Sequence, residues 1–324
     1  VKAAVHKKYG PPEVVFLTEI DRPVPNDNEV LIRIHATTVN RTDCGFRSAE
    51  YFISRFFSGL FRPNNPILGC EFAGEIETVG SRVKRFKPGD RVFGFNDSKF
   101  GGHAEYLAID EHAALAIIPE RISYEVAAAS TEGAHYALCN IRAAHVSKES
   151  KVLVNGATGA IGSAAVQLIK HIGASVVAVC DTQSLDLVKS LGADEVIDYT
   201  QTDFTKLNHL QNQFDFVFDA VGKRTFGQCK PLMKEKAFYI STELGPGGQN
   251  PLLALMAPFM GGKKVLFPLP YIRQEDVEFL KDLVAHGKFR PLIDRTYPLD
   301  QIVEAYRYVE TGQKRGNVII TIGS

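Results

Sequence analysis

Residues 151–181 read KVLVNGATGAIGSAAVQLIKHIGASVVAVCD, and the fold class follows from this stretch. KVLVN is a short, mostly apolar and β-branched run ended by a glycine, so it reads as a buried strand. Gly156, Gly159 and Gly162 then open the apolar helix IGSAAVQLIKHIG, and SVVAVC is a second buried strand. A strand, a glycine turn, a helix and a strand make one unit of a parallel sheet. The pattern continues downstream. LVKSLGADEVIDY gives a helix and a third strand, FDFVFDAVG a fourth, and KAFYISTELG and KKVLFPLP a fifth and sixth. This alternation predicts a doubly wound α/β domain built on a parallel sheet.

The sequence before it has a different texture. EVLIRIHATTVN alternates, and GCEFAGEIETVGSRV, DRVFGF and HAEYLAI are short strand-like runs split by Gly, Pro and Asp. The first 120 residues or so therefore read as β-rich. After about residue 270 come a helix (QEDVEFLKDLVAHGK), a strand-like DRTYPL, a helix (DQIVEAYRYVETG) and the strand NVIITI. The pattern alone leaves open whether this tail joins the parallel sheet or returns to the first domain.

A chain of 324 residues is expected to hold two domains. Its 37 Lys+Arg balance 37 Asp+Glu, so it has no general attraction for nucleic acid or an anionic membrane. No stretch approaches the length of uninterrupted apolar sequence that spans a bilayer, and VKAAVHKKYGPPEVV lacks the apolar core of a signal peptide. Cys44, Cys70, Cys139, Cys180 and Cys229 are scattered, with no CxxC pair. That argues against a disulfide framework or a zinc knuckle and fits the reduced thiols of the cytoplasm.

The glycine turn has the strand before it and the helix after it that a dinucleotide fingerprint requires. Glycines let backbone N–H groups approach a pyrophosphate, and the helix N-terminus adds roughly half a positive charge. Gly156, Thr158, Gly159, Ala160, Ile161 and Gly162 are the expected cradle. Asp181 follows the second strand, 181 − 162 = 19 positions after the last glycine. A carboxylate there accepts both ribose hydroxyls of NAD and repels the 2′-phosphate of NADP, so NADH is expected over NADPH. The alternative is that Asp181 only caps the helix that follows.

NGATGAIGSAAVQLIK, LVKSLGADEVIDY and FDFVFDAVG resemble the cofactor domain of the medium-chain dehydrogenase/reductase superfamily. KPGDRVFGF, GGHAEYLAI, TVNRTD and ILGCEFAG resemble its zinc-free quinone oxidoreductase branch. The likeness runs from about residue 2 to about 322. It implies a GroES-like β-barrel over 1–120 and 270–324, a Rossmann domain over 121–269, and an active-site cleft where they meet. It also implies reduction of quinones or of C=C bonds conjugated to a carbonyl by hydride from NAD(P)H, with a small apolar substrate.

Zinc-dependent relatives hold their catalytic metal with Cys, His and Cys. The matching positions here are Asn40, Cys70 and Thr131, a poor zinc set, and no cysteine lies between Asp90 and Asp110 to build a structural zinc lobe. Cys44, His103 and His135 are possible substitute ligands, but lone histidines are usually packed or hydrogen-bonded. No metal is expected. By resemblance Asn40 faces the nicotinamide or substrate, Asp43 holds its loop, and Tyr51 lies at the substrate mouth. The aromatic run YFISRFFSGLF reads either as a packed helix or as a hydrophobic lid. Glu132 and His135, three apart at a helix start, share a face and could deliver a proton, or could both be structural. Val221, Gly222, Ser241 and Thr242 are placed along the ribose and nicotinamide, and Tyr199 near the adenosine ribose. The apolar fifth and sixth strands suggest a homodimer joined edge to edge. A zinc-free alcohol or aldehyde dehydrogenase and a low-turnover dinucleotide-binding redox sensor are the competing functions.

Overall fold

The two hydrophobic textures fold separately in the computed structural model, which describes residues 1–50, 55–259 and 261–323. In the first, β1 (Lys2–His6) pairs antiparallel with β2 (Val15–Glu19). The alternating run forms β3 (Glu29–Val39), which pairs antiparallel with β4 (Glu71–Val79). Then follow β5 (Arg91–Phe95), β6 (Tyr106–Asp110) and β7 (Ala114–Ile117). β5 bridges β4 and β7, while β6 lies along the first half of β3. Sequence reasoning missed β7, whose alanines carry little strand signal. Ile32, Ile34, Phe72, Ile76 and Val92 point inward to a shared core.

The parallel sheet consists of β8 (Lys151–Asn155), β9 (Ser175–Cys180), β10 (Glu195–Asp198), β11 (Phe214–Asp219), β12 (Met233–Ser241) and β13 (Lys264–Val265). Its order is β10-β9-β8-β11-β12-β13, parallel throughout. The order reverses between β8 and β11, and ligands of such sheets bind beyond the strand ends at that point. KKVLFPLP yields only the two-residue β13, because Pro268 and Pro270 cannot donate to a ladder.

The tail supplies β14 (Ile293–Pro298) and β15 (Asn317–Thr321), and β15 pairs antiparallel with the end of β3. It thus joins the first sheet and not the parallel one. Two compact units result: Val1–Glu132 with Ile272–Ser324, and Gly133–Tyr271. Residues 121–132 lie with the first unit, whereas the sequence reading began the second domain at 121. The physical reason is the short helix Tyr124–Ala128, whose Ala127 and Ala128 pack with Ala36, Ala73 and Phe93. Among the described residues no helix is long and apolar enough to cross a membrane.

Candidate functional site

In the unit Gly133–Tyr271, the chain leaves β8 through Gly156 at φ +82°. A methyl there would lie 2.3 Å from Val221 Cγ1, so both conformation and space demand glycine. At Gly162 a Cβ would meet the Gly156 carbonyl oxygen at 2.1 Å. This contact fixes how closely the helix Ala160–Ile172 approaches the turn. Gly159 caps that helix with ordinary extended φ and has no atom closer than 3.8 Å to its missing Cβ. The space above the helix N-terminus is open there, between two glycines that are tightly enclosed. That is the shape a pyrophosphate needs, and Thr158, Ala160 and Ile161 border it half-buried.

The strand ends at the reversal point are tied together by Asp219, which sequence reasoning passed over as part of a strand. Its carboxylate accepts from Asn155 Nδ2 at 2.9 Å and from the Arg224 amide at 2.8 Å. Burial raises its pKa above the ordinary carboxylate range. It thereby folds the turn holding Val221 and Gly222, and the Thr242 amide donates to its carbonyl at 3.1 Å. Gly222 has φ +65°, and a Cβ there would strike the Glu243 side chain at 2.2 Å. Ser241 is buried in register with Asp219 at the end of β12.

Directly after β9, Asp181 accepts from the Gln183 amide at 2.9 Å and from the Ser184 hydroxyl at 3.1 Å. It therefore does cap the turn that follows β9. Tyr199 is exposed beyond β10, where its amide donates to the Cys180 carbonyl.

The unit Val1–Glu132 with Ile272–Ser324 contains a second constellation that the sequence only partly announced. Antiparallel pairing sets the end of β3 beside the start of β4, so Thr38, Asn40 and Glu71 meet. Glu71 is fully buried. It accepts from Thr38 Oγ1 (2.7 Å), Asn40 Nδ2 (2.8 Å), the Thr131 amide (3.1 Å) and Thr131 Oγ1 (2.9 Å), and also from the Glu132 amide. Asp43 is equally buried and holds the amides of Asn40 and Gly69, each at 2.9 Å. Glu132 is the third acid. Its carboxyl meets the Thr42 hydroxyl on one oxygen and Cys70 Sγ, 3.3 Å away, on the other.

Three carboxyls cannot all stay charged in so dry a place. Burial pushes Asp43 up to about 7, and burial with the charges of Glu71 and Asp43 pushes Glu132 up to about 8. Glu71 has five donors and is the best placed to keep its charge. Burial and the two neighbouring acids favour the protonated form of Glu132, whose carboxyl is met by a hydroxyl and a thiol where Asp43 holds backbone amides. Lys314 contributes positive field, and burial lowers its pKa while its Nζ donates to the Gly316 carbonyl at 2.6 Å. Asn40 Nδ2 faces a carboxylate, which only accepts, so the amide orientation is fixed. Among the described residues Asn40 Oδ1 is then a buried acceptor with no hydrogen-bond partner. Thr42, Thr38 and Glu71 escaped sequence reasoning because nothing local marks them; strand pairing sets Thr38 beside Glu71, and contacts distant in sequence bring Thr42 and Glu71 to Glu132.

The remaining candidates have other surroundings. His135 Nδ1 lies 3.6 Å from Cys139 Sγ and its ring tilts against Tyr136. Tyr51 lies outside the described residues. Of the aromatic run, Phe56 and Phe61 are exposed.

Residues 26–120 match the alcohol dehydrogenase GroES-like domain, and residues 191–320 match a zinc-binding dehydrogenase domain. A 2-methylene-furan-3-one reductase of Solanum lycopersicum is 33% identical, over 99% of this chain and 79% of its own. An NADPH-dependent alkenal/one oxidoreductase, chloroplastic, of Arabidopsis thaliana is 31% identical over the same shares. The solved quinone oxidoreductase from Coxiella burnetii superposes with a TM-score of 0.86 at 27% identity, each chain covered to 99%. The chain belongs to the medium-chain dehydrogenase/reductase superfamily, in its quinone oxidoreductase-like branch. It is an oxidoreductase that uses a nicotinamide cofactor, and the glycine cradle fits that cofactor's pyrophosphate.

The metal named in the second domain's description fits less well. Thr131 Oγ1 and Asn40 Nδ2 both donate to Glu71, and a neutral hydroxyl and a side-chain amide are weak zinc ligands beside thiolate, imidazole or carboxylate. Burial and the neighbouring acids raise the Cys70 thiol well above its usual range, against the thiolate zinc requires. Cys44 is pushed up to about 12 by burial. Buried His103, lowered to about 4, donates from Nε2 to the Thr38 carbonyl at 2.7 Å. Among the described residues no three His, Cys, Asp or Glu side chains are grouped to hold a metal.

Proposed function

We propose that the protein reduces quinones or carbonyl-conjugated C=C bonds with a nicotinamide cofactor and without zinc, and that Glu132 is its proton donor. The observation that carries this reading is the Glu132 carboxyl, buried beside the buried acids Glu71 and Asp43 with the Thr42 hydroxyl on one oxygen and Cys70 Sγ on the other. When bound, the reduced nicotinamide supplies the hydride. The glycine cradle from Gly156 to Gly162 holds its pyrophosphate, and Val221, Gly222, Ser241 and Thr242 line its ribose and ring. Hydride addition to a conjugated carbon leaves an enolate, which needs a proton and hydrogen bonds. In the resting site the half-buried Thr42 hydroxyl donates to Glu132; when Glu132 gives up its proton, that hydroxyl reverses, accepts from the Glu132 O–H and passes its own hydrogen outward to the enolate. Asn40 Oδ1 accepts a hydrogen bond from the bound cofactor or substrate. His135 and Tyr51 are further polar groups of the site, and the substrate is small and apolar.

The relatives' names support the substrate class: a furanone reductase, an alkenal/one oxidoreductase and a quinone oxidoreductase. NADH is favoured over NADPH, because Asp181 is a carboxylate at the end of β9. It can accept ribose hydroxyls while it caps, since a carboxylate has about four acceptor sites. The chain works as a homodimer joined through the exposed edge β13, in a reducing compartment such as the cytoplasm.

Enones, quinones and primary alcohols assayed with NADH and NADPH, in native protein and in Glu132→Gln and Thr42→Val, test this. Turnover of enones or quinones that both substitutions reduce is expected. Alcohol oxidation as the main activity would refute the reading. Elemental analysis should find well under one zinc per chain; a tightly bound zinc whose removal abolishes activity would contradict it.

A further inference from the structure

Asp181 is not the only acid at the adenosine end. Asp198 closes β10 in register with Cys180, the residue before Asp181, so adjacent parallel strands end in two carboxylates. Thr182 reaches across from the turn after β9, and its hydroxyl donates to Asp198 Oδ2 at 2.5 Å. From the other side the Thr200 amide and hydroxyl donate to Oδ1 at 2.9 and 2.7 Å. The Ser184 hydroxyl donates to Asp181. A hydroxyl has one hydrogen to give. The exposed Thr182 and Thr200 hydroxyls, 2.9 Å apart, therefore point their hydrogens at Asp198 and keep lone pairs on the solvent side, whereas the Ser184 hydroxyl is buried. Hydroxyl and amide donors, and not a cation, lower the Asp198 pKa, so its charge is not neutralised by a neighbouring Lys or Arg in that network.

We infer that Asp198, with Thr182 and Thr200, is a second selector of the cofactor, excluding a 2′-phosphate independently of Asp181. A ribose diol brings hydrogens to a rim of acceptors. A 2′-phosphate brings only acceptors and about two negative charges. To bind, it must turn the threonine hydroxyls away from Asp198 and lie beside that charge. This deepens the NADH reading proposed above and rests on it.

Dissociation constants for NADH and NADPH separate the cases, measured in native protein, Asp198→Asn, Asp181→Ser and Thr182→Ala at low and high salt. Native protein should favour NADH. Asp198→Asn should narrow the preference about tenfold, mainly by tightening NADPH, as removal of a like charge at a partly exposed rim does. Thr182→Ala keeps the charge but removes one acceptor of the rim, and should narrow the preference less than Asp198→Asn does. High salt should shrink the native preference more than that of Asp198→Asn, which a merely structural role would not do. If Asp198→Asn does not fold, Asp198→Ser takes its place. A folded Asp198 variant with the native ratio, while Asp181→Ser shifts it, would overturn this inference and leave the NADH reading standing. A native protein that prefers NADPH would overturn both.

Discussion

At the scale of single residues, the proposed function rests on which buried acid holds the proton. Glu132→Gln removes it and should lower kcat with an enone by roughly a hundredfold, the lower range for a general acid. With the acid form as the proposed donor, native turnover should fall as pH rises through about 8. The same group shapes stability. A carboxyl whose pKa is raised on folding favours the native state below its unfolded value near 4.5. That support drains away as pH rises toward 8, because the native state binds the extra proton over this window. Thermal unfolding between pH 5 and 8 should therefore show Glu132→Gln with a flatter decline than native protein; a parallel decline would remove Glu132 as the neutral acid. Glu71→Ala leaves amides and hydroxyls of Thr38, Asn40, Thr131 and Glu132 without their acceptor. Denaturant unfolding should register a loss of roughly 2–4 kcal/mol, since bonds to a charged group are worth more than neutral ones.

At the scale of elements, the glycine turn separates shape from binding. Gly162→Ala drives a methyl into the Gly156 carbonyl oxygen at 2.1 Å, so it should both destabilise the parallel-sheet unit and weaken cofactor binding. Gly159→Ala meets nothing closer than 3.8 Å and has a φ that alanine adopts freely. Its melting temperature should stay near the native value while NADH affinity drops about tenfold, as a methyl enters the pyrophosphate space. A normal affinity in Gly159→Ala would show that the pyrophosphate lies elsewhere. This turn was legible in the sequence because strand, glycines and helix are consecutive there. The acid cluster was not, since β3–β4 pairing sets Thr38 beside Glu71 and Glu132 reaches them from a helix start distant in sequence. The tail illustrates the same limit: NVIITI announced a strand, but its partner, β3, was fixed by long-range register alone. Asp181 was legible as an acid in the right place, whereas its capping bonds and the neighbouring Asp198 network needed the structure.

At the scale of the whole molecule, β13 is the outer strand of the parallel sheet, and Leu252, Leu255, Met256 and Phe259 of the same unit expose apolar surface. Sedimentation at micromolar concentration should give the mass of a dimer; a monomer alone would count against the proposed edge-to-edge pairing. The central claim is that hydride goes to a conjugated carbon and the proton comes from the protein, with no metal at the carbonyl. Protein freed of metal by chelation should turn over an α,β-unsaturated ketone with NADH carrying deuterium at the transferred position. Mass spectrometry should then find the deuterium on the β-carbon of a saturated ketone. Deuterium on the carbonyl carbon of an alcohol, or turnover that returns only when zinc is added, would contradict the account.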